Sequence, residues 1–121
     1  MGSEWTINSD YAEASRFKSY HKKHPRESAA CFENLNSVGL ALEEFGRPGA
    51  FQLGFFRHEG GNVWRIGQTN VRHARETRLY VYLLVDGKTV YVLTIGDKSQ
   101  QKRDIQRCRV LAEEIRKKAQ P

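Results

Sequence analysis

The sequence predicts an α+β fold in which an N-terminal helical hairpin packs on a small, mainly antiparallel β-sheet, with a C-terminal helix after the sheet. Three observations predict it. Apolar residues recur at helical spacing before residue 46, β-rich segments and turns follow from residue 63 to residue 95, and helical spacing returns after residue 99. The chain has 121 residues, the length of one domain, so a single domain over residues 1–121 is expected.

Two N-terminal segments have the apolar spacing of helices. Asp10 and Glu13 form a capping-box-like pair that predicts the start of the first helix. His24-Pro25 predicts its end, because a residue before proline avoids the α region. Gly46 is expected to end the second helix as its C′ residue. The apolar stripe of the second helix alternates spacings of four and three: Cys31, Leu35, Val38, Leu42 and Phe45.

The segments with strand character are short and lie mainly after residue 60. Val63 to Ile66 is β-rich, and Leu79 to Val85 is the strongest strand pattern in the chain. Asp86-Gly87 is a favoured hairpin turn, so Thr89 to Ile95 is expected to pair with the preceding strand. Ile7 to Ser9 is predicted as a short edge strand.

A last helix is predicted after Gly96-Asp97, with Ser99 as its cap. Its apolar positions recur at helical spacing: Ile105, Cys108, Leu111, Ala112 and Ile115. Cys31 and Cys108 both lie on helical stretches without C-x-x-C spacing, which predicts reduced thiols in the core.

The chain is basic, with 20 Lys and Arg against 14 Asp and Glu and a net charge of +6. Such a surplus favours a polyanion or an acidic protein as the partner. The longest apolar run, Leu79 to Val85, is far shorter than the roughly 20 residues that span a bilayer, and the N-terminus lacks the layout of a signal peptide. A cytoplasmic protein with no membrane partner is therefore expected.

The sequence lacks the familiar enzyme motifs. It contains no nucleophile elbow, P-loop, dinucleotide-binding glycine motif or zinc-protease motif, and its four histidines lack metal-ligand spacing. No metal site and no cofactor are therefore expected. Glu59 and Glu76 are isolated acids in basic loops, a pattern typical of local charge balance.

Three cations lie on or next to the predicted strands: Arg65, Arg78 and Lys98. In a hairpin that turns at Asp86-Gly87, Arg78 is nearly level with Ile95, so Arg78 and Lys98 are expected at the same edge of the sheet. Arg65 can reach that surface from the neighbouring strand. Because guanidinium groups bind phosphate oxygens bidentately, this convergence predicts a phosphate-binding surface.

Two tyrosines on the strongest strand, Tyr80 and Tyr82, are expected to face the same surface and to stack on bases. An aromatic and basic surface of this kind favours single-stranded RNA. Further candidates for RNA binding are Arg72, His73, Arg75, Lys102 and Arg103. The alternative interpretation is that the tyrosines are ordinary strand residues and the arginines are solvated strand ends.

The segment Leu93 to Arg107 reads as a last strand ending in G-D-K-S-x-Q-x-R-D-I that runs into a basic helix. It resembles the RelE/ParE superfamily of type II toxin–antitoxin toxins and, within it, the HigB-like addiction module killer branch. The resemblance is strongest over Arg78 to Ala119, extends to Val63 to Ile66, and is architectural over the N-terminal hairpin. It implies a RelE-like fold.

The resemblance implies a small toxin, most often one that cuts mRNA on the ribosome. By position, Arg78 matches the arginine that opens the family's central strand. Lys98 matches the basic residue after its last strand, Arg65 matches the one on the preceding strand, and these three are the implied catalytic residues. The implied reaction is attack of a ribose 2′-hydroxyl on the adjacent phosphate, with Arg and Lys stabilising the phosphorane.

The partners that the resemblance implies are mRNA on the ribosome and a cognate antitoxin. An acidic segment of the antitoxin is expected to cover the basic sheet face. Two departures from the family pattern are visible. The connection Gly67 to Thr77 is longer than usual, and nothing aromatic follows Tyr91 to serve as the acid that some members use. The ParE side of the superfamily acts on DNA gyrase, so a toxin without nuclease activity and an RNA-binding module without activity are the alternatives.

Overall fold

The computed structural model describes residues 5–72 and 74–119 and has the predicted α+β architecture. Its elements are β1 (Thr6–Asn8), α1 (Ala14–Lys23), α2 (Pro25–Phe51), β2 (Phe56–His58), β3 (Val63–Gly67), β4 (Thr77–Leu84), β5 (Thr89–Asp97) and α3 (Gln101–Ala119). A 3-10 turn, Lys98–Gln100, leads into α3. Within the described ranges, no helix has both the length and the apolar character needed to cross a membrane.

The strands form one mixed sheet in the order β1-β5-β4-β3-β2. β1 runs parallel to its neighbour β5, and the other neighbouring strands are antiparallel. The sheet separates two core layers, with α1 and α2 packed on one face and α3 on the other. The predicted helical hairpin, mainly antiparallel sheet and C-terminal helix are confirmed.

The apolar stripe predicted for the second helix forms the core beneath the hairpin. Four of its members are at most 4% exposed: Cys31, Leu35, Val38 and Leu42. Phe45, the last predicted member, is instead 69% exposed. It precedes a break at Gly46, whose φ of 70° and ψ of −170° are accessible essentially only to glycine. Gly46 interrupts the helix as predicted, but helical turns resume and α2 continues to Phe51.

The capping box predicted for the first helix is wrong. Asp10 lies in a turn before the helix, where its backbone N–H donates to Asn8 Oδ1 at 2.8 Å. The helix begins at Ala14 with Glu13 as N-cap, and in the described chain the Glu13 side chain makes no capping hydrogen bond. α1 ends at Lys23, ahead of the proline, as predicted.

The hairpin of β4 and β5 forms, but its turn is longer than a two-residue Asp-Gly turn. The loop spans residues 85–88, and the backbone N–H of Lys88 donates to the Val85 carbonyl at 3.1 Å. Lys88, and not Gly87, has the left-handed backbone conformation in this loop, with φ of 47°. A four-residue loop relaxes the need for glycine at the centre of the turn.

A β-bulge in β5 shifts the register that the sequence predicts. Leu93 is an extra residue between two consecutive pairs with β4. Arg78 therefore pairs with Gly96 instead of lying level with Ile95. Lys98 is two residues, rather than three, past the partner of Arg78, so the bulge brings these two cations closer together.

α3 covers the sheet face opposite the hairpin. Asp97, and not Ser99, caps the turn that leads into it, because the Asp97 carboxylate accepts a hydrogen bond from the Ser99 backbone N–H at 3.0 Å. The predicted apolar stripe is largely inside, with four members at most 7% exposed: Cys108, Leu111, Ala112 and Ile115. Cys31 and Cys108 are free thiols in the core, as predicted, and burial raises the pKa of each to about 12.

A part-buried ion pair joins α1 on one face to α3 on the other. Arg16 Nη2 lies 3.1 Å from Asp104 Oδ2, and Asp104 is 2% exposed. Burial raises the pKa of Asp104, and the Arg16 guanidinium opposes that rise. A Cβ at Gly96 would overlap the Asp104 carboxylate and lie 2.7 Å from Arg16 Nη2. Glycine at this position of β5 therefore leaves the room that the ion pair needs.

Replacing Gly96 with alanine is expected to lower the free energy of unfolding by about 1–3 kcal/mol, because the added methyl overpacks a filled site. Urea denaturation followed by circular dichroism measures the change. The matched control is Gly67→Ala on β3, where a new Cβ meets no described atom within 4 Å. That control should change the free energy of unfolding by less than about 1 kcal/mol. Equal effects of the two substitutions would contradict the packing role of Gly96.

Candidate functional site

Three arginines converge on the side of the sheet that faces α3. Arg57 on β2 is the direct cross-strand partner of Arg65 on β3. Arg78 on β4 pairs with Gly67, two residues further along β3. Tyr80, two residues after Arg78, packs under α3, so side-chain alternation along the strands places all three guanidinium groups on that face.

The three arginines line a cavity of about 340 Å³, here called the arginine pocket. Its other walls are backbone, one ring and small polar groups, from Gly54, Phe55, Gly67, Gln68 and Thr69. Like charges directly opposite each other on neighbouring strands, here Arg57 and Arg65, destabilise a sheet. An anion bound in the pocket would remove that repulsion.

Two of the guanidinium groups are largely buried and incompletely paired. Arg65 Nε lies 3.3 Å from Glu59 Oε1, and its Nη1 donates to Gln101 Oε1 at 3.4 Å. Arg78 is 9% exposed, and its Nη2 donates to Glu76 Oε1 at 3.3 Å. Among the described atoms, the Nε of each arginine is buried with no acceptor in hydrogen-bonding geometry. A buried donor without an acceptor costs about 1–3 kcal/mol, so both guanidinium groups are held at some cost to stability.

Arg78 and Lys98 meet at one end of the sheet through a shared carboxylate. Glu76 Oε1 lies 3.3 Å from Arg78 Nη2, and Glu76 Oε2 lies 3.8 Å from Lys98 Nζ. The predicted proximity of the two cations is confirmed. The side chains of Lys98 and Glu76 are 70% and 59% exposed, so water screens the contact between them and a ligand can displace it at little cost.

The base-stacking surface predicted for Tyr80 and Tyr82 is wrong. Tyr80 is fully buried and Tyr82 is 5% exposed, because α3 packs directly on this part of β4. Burial is the largest cause that raises the pKa of both phenols. In the described chain the Tyr80 hydroxyl has no hydrogen-bond partner, and its ring packs in the core beneath α3.

The remaining predicted RNA-binding residues do not gather around the arginine pocket. Arg75 Nε donates to Asp97 Oδ2 at 2.8 Å, and Arg75 lines a different cavity. Arg72 is exposed in the loop before β4, and His73 lies outside the described residues. Lys102 and Arg103 are exposed at the start of α3.

Much of the segment that resembles the toxin family has a structural role in this chain. Gly96 makes room for the part-buried ion pair, Asp97 caps the turn into α3, and Asp104 receives Arg16. Gln101 differs from these, because its side-chain oxygen holds Arg65. Most of these residues therefore hold the fold together, and one of them, Gln101, contacts an arginine of the candidate site.

Three residues near the arginine pocket were not assigned to it from the sequence: Arg57, Glu59 and Glu76. Arg57 lies on a strand of three residues, too short to show alternation. The two glutamates were interpreted as charge balance, which is what their ion pairs provide, but each pairs with a predicted site residue. The signal that could have indicated the two glutamates is their closeness in sequence to strand arginines. Glu76 is two residues before Arg78, and Glu59 precedes the strand of Arg65.

Across residues 5–72 and 74–119, no group of three or more His, Cys, Asp and Glu side chains is placed to hold a metal ion.

Asp97→Ala is expected to lower the free energy of unfolding at neutral pH by about 1 kcal/mol, the value of a lost cap. The hydrogen bond from the Ser99 hydroxyl, followed by the contact with Arg75, lowers the pKa of Asp97 from its ordinary value of 3.8. The stabilisation is therefore present above that value and is lost as the pH falls through the lower pKa of the folded state. The difference between the wild type and the variant should shrink accordingly in acid.

Chemical denaturation at a series of pH values measures this difference. Asp86→Ala, in the exposed hairpin loop, is the matched control and should show little loss at any pH. A gap between wild type and Asp97→Ala that stays constant into strong acid would contradict the role given to the ionised carboxylate.

No family model, no curated protein and no solved structure matches this chain. The resemblance to the RelE/ParE superfamily therefore stands on the residues of the chain alone.

Proposed function

We propose that this chain is the toxin of a type II toxin–antitoxin system and that it cleaves mRNA on the ribosome. The observation that carries the proposal is the convergence of Arg57, Arg65 and Arg78 on one pocket. Arg65 and Arg78 are both largely buried, and among the described atoms each pairs its guanidinium group with a single carboxylate, Glu59 for Arg65 and Glu76 for Arg78. Such a pocket suits a phosphodiester, whose oxygens accept hydrogen bonds from guanidinium groups bidentately.

The pocket and the Arg78–Glu76–Lys98 contact adjoin, since Arg78 belongs to both. Through Arg78 the pocket is connected to a carboxylate, Glu76, and to an ammonium group, Lys98. We assign to Lys98 the role of the acid, for which the sequence alone offered no aromatic candidate after Tyr91. The resemblance of Leu93 to Arg107 supports the toxin class, and the pocket supports the phosphate chemistry.

In the proposed reaction the ribose 2′-hydroxyl attacks the adjacent phosphorus. Glu76 accepts the hydroxyl proton, and the arginines stabilise the charge that develops on the phosphorane oxygens. Lys98 donates a proton to the 5′ oxygen as its bond to phosphorus breaks. The products are a 2′,3′-cyclic phosphate on one fragment and a 5′-hydroxyl on the other.

An antitoxin with an acidic segment is the proposed protein partner, because a chain of net charge +6 gains association rate from a partner of opposite charge. The segment would occupy the arginine pocket and exclude RNA. Affinity for an acidic protein encoded beside this chain should fall as salt rises from low to physiological concentration. Calorimetric titration at the two salt concentrations measures this, and an affinity insensitive to salt would contradict it.

Arg78→Ala and Lys98→Ala are each expected to slow mRNA cleavage on the order of 10²-fold or more, by analogy with the loss of one donor to a developing oxyanion. Growth arrest on expression should weaken in parallel. The readout is the set of mRNA ends on translating ribosomes, with circular dichroism as a check of folding. Arg47→Ala removes an exposed arginine of α2 that does not line the pocket and is the matched control.

Two outcomes separate the alternatives. If both variants stay folded and fully toxic, the assignment of the site fails. If the wild type arrests growth without cleaving mRNA, the nuclease is excluded and a toxin directed at DNA gyrase takes its place. Glu76→Gln refines the scheme, because it should abolish cleavage while RNA binding persists.

A further inference from the structure

A second polar cavity lies at the same end of the sheet, on the side of α1. Its volume is about 400 Å³, and it is here called the α1 pocket. Polar side chains make most of its walls, including Arg16, Ser19, Lys23, His24, Arg75 and Asp97. The cavity falls within the range of about 300–1,000 Å³ that is typical of small-molecule sites.

The α1 pocket and the arginine pocket lie on opposite faces of the sheet. Thr77 pairs with Asp97, and the Thr77 hydroxyl meets the hydroxyl of Tyr20 on α1 at 2.7 Å. The next pair along the ladder, Arg78 with Gly96, faces α3. Alternation of side chains therefore separates the two cavities, even though their residues are neighbours in the sequence.

Helical spacing brings the donors of α1 into one cavity. Arg16, Ser19 and Lys23 recur at intervals of three and four residues, so they share one face of the helix. Arg75 approaches from the loop before β4, and all four line the same space. These side chains share the cavity because they lie on one face of α1 and that face packs beside the loop before β4.

The carboxylates at this pocket are already satisfied, and many of the donors are not. Asp97 accepts from Ser99 and Arg75, and Asp104 accepts from Arg16. The hydrogen bonds of Arg16 all leave from Nη2, and the side-chain bond of Arg75 leaves from Nε. In the described part of the chain, the Lys23 ammonium has no ion-pair partner. The residues that line the pocket therefore carry more cationic groups, on Arg16, Lys23 and Arg75, than carboxylates, of which Asp97 is the one in the lining.

We propose that the α1 pocket binds a phosphate group. Two guanidinium groups and one ammonium group around a polar cavity provide the charge-assisted donors that phosphate oxygens accept. The phosphate belongs either to the backbone of an RNA strand or to a free nucleotide, which share this chemistry. Binding here needs no cleavage, so the inference goes beyond the proposed nuclease function and does not depend on it.

The test titrates the ¹⁵N-labelled full chain with two ligands and follows its amide and arginine Nε signals by NMR. One ligand is adenosine 5′-monophosphate, and the other is a single-stranded hexaribonucleotide with 2′-O-methyl groups, which lacks the 2′-hydroxyl that cleavage requires. Saturable shifts at the α1 pocket with either ligand are expected. Shifts with the mononucleotide alone identify a free nucleotide as the source, and shifts with the hexanucleotide alone identify a backbone phosphate.

Lys23→Glu is expected to lower the affinity for the ligand about tenfold or more, because a carboxylate that repels phosphate replaces a cationic donor. Lys22→Glu is the matched control. It lies in the same last turn of α1, makes the same change of charge and does not line the pocket. Ser19→Asp, at another exposed position of the pocket wall, should weaken binding like Lys23→Glu and guards against a folding defect in one variant.

The absence of saturable shifts at the α1 pocket with both ligands would overturn the proposal, and so would equal losses in the Lys22 and Lys23 variants. The outcome is separable from that of the nuclease proposal. Arg78→Ala should slow cleavage on the order of 10²-fold or more and leave the ligand shifts of the α1 pocket unchanged. If the α1 pocket fails its test while Arg78→Ala still loses cleavage, the nuclease proposal stands alone.

Discussion

The part-buried ion pair between Arg16 and Asp104 holds the two faces of the sheet together where both pockets lie. β1 pairs with residues 89–91 of β5. Beyond those residues, the N-terminal end of α1 lies against the same edge of β5. There the Glu13 backbone N–H donates to the Leu93 carbonyl at 3.0 Å, and Arg16 follows within one turn. Removing Arg16 would leave the buried Asp104 carboxylate without its ion-pair partner, which destabilises the folded state. The side-chain space left at Gly96 is what allows this junction to form.

This junction contributes a wall to one pocket and lies close to the other. Arg16 itself lines the α1 pocket. Gln101, one turn before Asp104 on α3, accepts a hydrogen bond from Arg65, which lines the arginine pocket. The ion pair therefore ties α1 to the turn of α3 that follows Gln101. The mutual repulsion of Arg57, Arg65 and Arg78 is confined to the arginine pocket. A local departure from favourable interactions in a well-packed protein is typical of a functional site.

The candidate site was predictable where it depends on chain-local geometry. Arg78 and Lys98 flank a hairpin, and pairing across one turn brings them to the same edge even though the bulge at Leu93 shifts the register. The contribution of Arg57 was not predictable, because it depends on the pairing of a strand of three residues. The burial of Tyr80 was also missed. A run of apolar and aromatic residues as continuous as Leu79 to Val85 is typical of a strand covered on both faces, and that signal favoured burial over base stacking.

The sequence by itself determined the order and type of the elements, because hydrophobic period and turn chemistry are local properties that each segment carries alone. It also determined the basic balance of the chain and the proximity of Arg78 to Lys98. The tertiary structure alone decided which sheet face α3 covers, which guanidinium groups share a cavity, and that Arg16 crosses the sheet edge to Asp104. Those arrangements depend on side chains distant in sequence competing for the same space and the same partners, and no local pattern encodes the outcome of that competition.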